Sequence, residues 1–340
     1  MISAIIELPS FQRLIESLVN NQRVDSLGLQ RATRLPVIAS LLRTVNWPIV
    51  LTVERMDQAI NLADEFSFWS PASQVQLFPE PTPMFYEKAG WGSLARRDRL
   101  QALTLLSQYH LPSAQIPVNA PIIITTVRAL MTRTLPRRDF LKSIRSIRLN
   151  HEIQPEYLVR EWVNIGYQPV ELVVEPGQFS RRGGLMDIWS VADQNPIRIE
   201  FFGDEIDTIR SFDPATQRTI TTLEAATITP ASEILASKAQ AAGIDTLDLN
   251  EFYLPLVYPM HANLLDYLPR KSLVLLNDAQ LLRSVANDIE EQAVRFRNES
   301  IREGVIDEEY PVPYQSWSEI EDILTIHQAV DLGHSLENEP

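Results

Sequence analysis

The sequence predicts an α/β protein with a parallel sheet and, in the middle of the chain, a smaller α+β unit. Three observations predict this class. Apolar strand-like runs alternate with helical periodicity up to about residue 135, strands at hairpin spacing follow from about 140 to 227, and helix and strand alternate again from about 228. Strands separated by helices favour parallel pairing with right-handed crossovers, whereas strands at hairpin spacing favour antiparallel pairing.

The first segment predicts helices and buried strands in alternation. Ser10 can cap an amphipathic helix, and Pro36 can open a second one with Val37 and Leu41 turned inward. Further helices are predicted at about 56–63 and 100–107, and apolar strands at 49–53, 75–78 and 121–126.

The middle segment predicts a helix from Pro155 to Gly166, followed by strands at 170–175, 185–189 and 197–202. The last of these strands alternates with period two. One face carries apolar side chains, and the other carries Arg198, Glu200 and Phe202. A large aromatic beside a charged pair indicates a surface that something covers. Beyond this unit, a strand at about 272–277 and a long helix at about 278–298 are predicted.

Composition excludes several classes of function. The chain has no cysteine, which excludes disulfides, thiolate metal sites and cysteine nucleophiles. Its five histidines lack metal-site spacing, and we find no catalytic constellation. Of the net charge of −14, residues 288–340 account for most, with 14 acidic and 3 basic side chains. No segment approaches the roughly 18 apolar residues of a membrane span, so we expect a cytoplasmic protein, and a monomer.

Two long stretches carry a family resemblance. Residues 177–189 and 196–219, including the runs SRRGGLMDIW and IRIEFFGDEI, resemble the interaction domain shared by bacterial UvrB and the transcription-repair coupling factor (Mfd) family. The run PIIITTVRAL at 121–130 resembles the first domain of the same proteins. Residues 254–269 are similar to the coupling factors rather than to UvrB. The resemblance covers about residues 20–320.

The resemblance implies a fold and a domain order. The first domain would be a degenerate P-loop NTPase-like parallel sheet formed by 1–139 and completed by 228–325. The interaction domain, 140–227, would be inserted into it. Independently of the resemblance, the low apolar content of the C-terminal end predicts a flexible acidic tail at 326–340.

The position that matches the UvrB phosphate-binding loop is degenerate. It begins at Gly28, but Thr33 stands at the second glycine position, Arg34 at the lysine position and Leu35 at the magnesium-ligating hydroxyl position. A P-loop needs glycine, lysine and a hydroxyl at those places. We therefore expect no nucleotide and no metal in this chain, and ATP with magnesium only in the motor of the longer family proteins.

The resemblance also implies a partner and a site. In both families the interaction domain faces UvrA, and the UvrA-binding positions correspond to Arg182, Arg198 and Phe202 here. The supporting positions around them are Gly183, Gly184, Glu200 and Asp204. A purely structural alternative has Arg182 capping a turn, Arg198 pairing with Glu200 and Phe202 packing on a neighbour.

The implied function is that of a non-catalytic module. It would recruit UvrA to stalled RNA polymerase in transcription-coupled nucleotide excision repair, while RNA polymerase and DNA would be reached through a C-terminal part with the motor. The alternative is a fragment of a UvrB-type ATP-dependent DNA-loading or helicase subunit. The degenerate loop and the short aromatic stretch from Phe85 to Trp91 argue against this alternative. A stand-alone adaptor of this length is a third possibility.

A basic stretch from Arg128 to Arg148 allows two interpretations. It contains seven basic side chains and one acidic side chain, that of Asp139. They either contact DNA phosphates or an acidic protein, or form a solvated face and linker at the domain boundary.

Overall fold

The computed structural model describes residues 1–24, 26–111, 116–247 and 249–334. The chain divides into two compact units. The first contains Met1–Lys88, Leu105–Arg133 and His261–Pro340, and the second contains Ala89–Thr104 and Thr134–Met260. The second unit is thus wider than the predicted 140–227.

The helices and strands are as follows. The helices are α1 (Ile2–Ile6), α2 (Pro9–Val19), α3 (Arg31–Val45), α4 (Met56–Trp69), α5 (Ser93–Ser107), α6 (Val127–Met131), α7 (Arg137–Ser143), α8 (Pro155–Asn164), α9 (Ala236–Ala241), α10 (Leu254–Val257), α11 (Ala279–Arg302) and α12 (Trp317–Ile326). The strands are β1 (Ile49–Val53), β2 (Val75–Phe78), β3 (Ile122–Thr126), β4 (Arg145–Arg148), β5 (Gln168–Pro169), β6 (Gln178–Arg182), β7 (Leu185–Ile188), β8 (Ile197–Phe202), β9 (Glu205–Phe212), β10 (Thr219–Thr222), β11 (Ala225–Ile228), β12 (Leu273–Leu276) and β13 (Gln328–Asp331).

The first unit is built on a five-stranded parallel sheet in the order β13-β12-β1-β3-β2. The central strands β1, β3 and β12 are buried along their whole length, which is why they read as continuous apolar runs. Strands β12 and β13 follow the second unit in sequence, so the chain returns to complete this sheet. Leu51, Ile124 and Leu275 lie side by side in its core.

The second unit holds a six-stranded sheet in the order β10-β9-β8-β7-β6-β5, antiparallel except at β5 and β6. Its buried face aligns Met186, Ile199 and Ile209 across three strands. Trp162 of α8 packs edge-on against Phe179 of β6, with ring centroids 5.4 Å apart. The α+β prediction for this region therefore agrees with the structure.

Buried polar contacts explain why 89–104 belongs to the second unit. The Arg99 guanidinium and the Glu233 carboxylate form an ion pair with both side chains almost wholly buried, at 2.6 Å from Nε to Oε1. The Trp91 amide also donates to the buried Glu251 carboxylate at 3.0 Å. Removing either carboxylate would take away the acceptor of a buried donor, which lowers the free energy of unfolding.

Three predictions about local structure are wrong. The helix predicted to open at Pro36 begins at Arg31. The strand predicted at 170–175 is absent: the amides of Val174 and Glu175 donate instead to the side-chain oxygen of Gln178, at 3.0 and 3.1 Å.

The predicted flexible tail is also wrong in part, because Gln328–Asp331 is strand β13 of the parallel sheet. Its partners lie 55 residues earlier in β12, and local composition does not reveal such long-range pairing. Residues 335–340 of that tail lie outside the described residues.

Candidate UvrA-facing surface

Strand register brings the predicted site residues onto one face of the six-stranded sheet. Asp187 on β7 stands opposite Arg198 on β8, and Leu185 stands opposite both Arg182 on β6 and Glu200 on β8. Because residues opposite each other share a face, and residues two apart on a strand do too, Phe202 belongs to this same face. We call this set, Arg182, Asp187, Arg198, Glu200 and Phe202, the arginine–phenylalanine face.

Two glycine turns close the strands at the end where Arg182 and Phe202 lie. Gly183 has φ of +63° and Gly203 has φ of +65°, a region that glycine enters without steric cost. The two turns are adjacent, since the Phe201 amide donates to the Gly184 carbonyl at 2.8 Å. A Cβ atom at Gly184 would approach the Phe201 carbonyl oxygen to 3.1 Å. The Gly183-Gly184 pair therefore shapes this end of the face.

Asp187 organises both arginines, and the sequence analysis missed it. Its carboxylate is wholly buried, and Arg198 binds it in bidentate fashion, with Nε to Oδ1 at 2.7 Å and Nη2 to Oδ2 at 2.9 Å. Arg182 Nη2 donates to the same Oδ2 at 2.9 Å. The available signal was the acid at Asp187 in the otherwise apolar run 185–189, one strand away from Arg198.

The two arginines differ in how far they are free to meet a partner. The Arg198 side chain is 19% exposed. Its Nη2 also donates to Gln217 Oε1 at 2.9 Å, and its Cζ lies 4.5 Å from the centre of the Phe212 ring. The hydrogen bonds that Arg198 donates to Asp187 raise the pKa of the Arg198 guanidinium above its usual value. The Arg182 side chain is 52% exposed. Arg182 is thus the more exposed of the two arginines.

Phe202 is the most prominent apolar group of this face. Its side chain is 81% exposed at the end of β8, beside the Gly203 turn. The structural alternative for Phe202, packing on a neighbour, is therefore wrong. An exposed ring beside arginines has the residue types that are enriched in binding hot spots.

The supporting positions have local partners. Glu200 accepts hydrogen bonds from Thr208 Oγ1, at 3.0 Å, and from the Arg210 guanidinium. The alternative pairing of Arg198 with Glu200 is therefore wrong, because Arg198 forms its ion pair with Asp187 and Glu200 forms its own with Arg210. Asp204 lies in the turn after Gly203, and its carbonyl accepts from the Ile153 amide at 2.7 Å.

The residues that the sequence analysis aligns with a phosphate-binding loop make contacts that hold the first unit together. Gly28 has φ of +59°, and Thr33, Arg34 and Leu35 lie in the first turns of α3. Arg34 is buried and donates to Asn277 Oδ1 at 2.9 Å and to the Gly333 carbonyl at 2.8 Å. Leu35 packs in the core. A cavity of about 570 Å³ lies beside these residues, at the carboxyl ends of β1 and β12.

Two aromatic residues of the short stretch from Phe85 to Trp91 pack on their own chain. Phe85 stacks on Tyr314 with ring centroids 4.7 Å apart, and Tyr86 is buried against Tyr310. Rings in this arrangement are not available for stacking on bases.

Three arginines of the basic stretch are tied to neighbouring groups. Arg128 lies 3.3 Å from the Glu80 carboxylate, and buried Arg133 contacts the His261 ring. Arg145 Nε donates to Glu161 at 2.9 Å. These contacts favour the structural interpretation for these three side chains.

The described ranges contain no cluster of three or more His, Asp or Glu side chains that fits a metal ion. Within the same ranges, no helix is both long and apolar enough to cross a membrane.

Comparisons with known proteins identify the domain that carries this face. The model of the UvrB interaction domain matches residues 146–234, which include the whole arginine–phenylalanine face. The transcription-repair-coupling factor of Bacillus subtilis is 28% identical over 340 residues, covering 88% of this chain and 28% of that protein. That of Myxococcus xanthus is 32% identical over 66% of this chain, and that of Escherichia coli is 29% identical over 56%, with 19% and 16% of those proteins covered.

The chain spans about a quarter of the length of the curated relatives it matches. It therefore contains a UvrB interaction domain and is related over most of its length to the transcription-repair-coupling factors, a match consistent with their N-terminal module.

Proposed function

We propose that this chain is a non-catalytic module that recruits UvrA, in support of transcription-coupled repair, through its arginine–phenylalanine face. The observation that carries the proposal is the 81% exposure of Phe202 next to the half-exposed Arg182, within the segment that matches the UvrB interaction domain. What distinguishes Phe202 is its place beside an arginine, since aromatic and arginine side chains are the types enriched in binding hot spots.

The chemistry of the face defines what UvrA must offer. Phe202 would enter an apolar pocket, and the free donors of Arg182 would bind a carboxylate or carbonyl groups as a planar fork. Arg198, already bound to Asp187, would contribute its positive charge and its fixed plane.

We further propose that the first unit is a degenerate copy of a nucleotide-binding fold that binds no ATP. Support comes from Arg34, whose guanidinium donates to Asn277 and Gly333, and from Leu35, whose side chain lies in the core. Neither is available to hold a phosphate or a magnesium ion. Contacts with RNA polymerase and DNA we assign to parts of the family proteins outside the matched region.

Titration of UvrA with the wild-type chain and two arginine variants tests the recruitment. Arg182→Ala should weaken the complex about tenfold or more, since a charge-assisted pair at an interface is worth about 1.5–3 kcal/mol. Arg181→Ala is the matched control, because Arg181 points to the opposite face and pairs with Glu156. Equal binding by wild type and Arg182→Ala, or no binding by wild type, would contradict the proposal.

A further inference from the structure

Asp187 cannot touch a protein partner, yet it touches both arginines of the proposed surface. Its side chain has no exposed area, and the three hydrogen bonds it accepts all come from Arg182 and Arg198. Any effect of Asp187 on binding must therefore pass through those two guanidinium groups.

One oxygen fixes the relative placement of the two cations. Arg182 Nη2 and Arg198 Nη2 both lie 2.9 Å from Asp187 Oδ2. Two guanidinium groups this close repel each other, and a carboxylate between them cancels much of that repulsion. Without the negative charge, Arg182 has no reason to stay beside Arg198, since its long side chain gains rotamer entropy by leaving.

Arg198 is also held from its other sides. The ring of Phe212 lies against its guanidinium plane, 4.5 Å from Cζ, and Gln217 accepts from Nη2. Phe212 is buried as well, with 1% of its area exposed. Two buried side chains therefore set the plane of Arg198, and one of them also sets the position of Arg182.

We propose that Asp187 is the positioning residue of the UvrA-binding surface, which holds Arg182 and Arg198 as one preorganised cationic pair. This inference rests on the proposed function. Preorganisation raises affinity because the side chains lose less conformational freedom when the complex forms. The partner would then recognise a fixed arrangement of two guanidinium planes beside Phe202, instead of two independent charges.

Asp187→Asn tests the inference, because it keeps the shape of the side chain and removes the charge. We expect UvrA binding to weaken about tenfold. Glu161→Gln is the matched control: it removes a partly buried carboxylate that pairs with Arg145 in the same unit. It should bind UvrA like wild type, so that general loss of charge or stability is separated from positioning. Thermal melts of both variants accompany the titrations.

A double-mutant cycle measures the coupling between Asp187 and Arg182 in UvrA affinity, which a merely structural role of Asp187 would not produce. If Asp187 acts through the arginines, its replacement should cost clearly less affinity in an Arg182→Ala background than in wild type. The inference would be overturned if the double variant lost affinity by the product of the two single-variant losses. Wild-type affinity in a folded Asp187→Asn protein would overturn it as well.

A second variant covers the case in which Asp187→Asn does not fold. Phe212→Leu keeps the buried ion pair and removes only the ring beneath Arg198, and it should weaken binding about two- to fivefold. Unchanged affinity of the folded Phe212→Leu protein would overturn the inference.

Phe202→Ala separates the two claims, since Phe202 makes no contact with Asp187. If Phe202→Ala weakens binding and Asp187→Asn does not, the positioning role alone is overturned. If neither affects binding, the proposed surface is wrong and the inference is overturned with it.

Discussion

Asp187 and Arg198 stand directly opposite each other on β7 and β8, joined by a bidentate ion pair of 2.7 and 2.9 Å. The aspartate is wholly buried, so this pair links the packing of the second unit to the surface that we assign to UvrA. Removal of an exposed side chain usually has little effect on folding. Arg198 differs, because the buried carboxylate of Asp187 depends on its charge.

Arg198→Ala should therefore lower the free energy of unfolding, by about 3 kcal/mol, because it leaves Asp187 with Arg182 as its one remaining cation. The urea midpoint of the second unit, followed by Trp fluorescence, measures this. Arg181→Ala breaks the more exposed pair with Glu156 and should lower the midpoint clearly less, since solvent screens an exposed ion pair. Equal urea midpoints for the two variants would show that burial of the Asp187 carboxylate does not require its ion pair with Arg198.

The chain should show no saturable binding of a fluorescent ATP analogue at micromolar concentration with magnesium present. Arg34 is already bound to Asn277 and Gly333, and Leu35 offers no hydroxyl. Arg34→Lys should not restore binding, and should lower the thermal midpoint, since lysine cannot reproduce the guanidinium geometry. Saturable binding that unlabelled ATP competes away would refute this prediction.

Acid should destabilise the first unit through His327. Burial lowers the pKa of His327 below its ordinary 6.5, although the Asp266 carboxylate opposes the shift. The unfolded chain then binds a proton at a higher pH than the folded chain does, so stability is present above about pH 6.5 and is lost as pH falls below it.

Comparing thermal midpoints at about pH 7.5 and about pH 5.5 tests this. His327→Gln should reduce the loss on acidification, whereas replacement of the exposed His151 by Gln should leave it unchanged. An identical loss in wild type and His327→Gln would assign the pH dependence to other groups.

The sequence predicts most of the fold because local patterns coincide with it. The strands 49–53 and 75–78 are found at the predicted residues, and the period-two pattern from Ile197 to Phe202 matches the buried and outward faces of β8. Each of these elements is specified by residues within one run, where apolar spacing alone decides which side is buried.

What the sequence does not reveal depends on partners far apart along the chain. Strand β13 exists because Ala329 and Val330 pair with β12. The partner of Arg198 is Asp187, 11 positions away on the neighbouring strand, and not Glu200 on its own strand. The choice between the two requires the register of β7 against β8, which only the folded sheet fixes.

The most direct test of the UvrA-facing surface is a calorimetric titration of cognate UvrA with the Phe202→Ala protein. Phe68→Ala is the matched control, since Phe68 is 84% exposed on α4 of the first unit. Removing a hot-spot aromatic costs about 2–4 kcal/mol, so Phe202→Ala should bind about 30- to 1,000-fold more weakly than wild type, with an unchanged thermal midpoint. Phe68→Ala should bind like wild type. Wild-type affinity in Phe202→Ala, or an equal loss in both variants, would contradict the assignment.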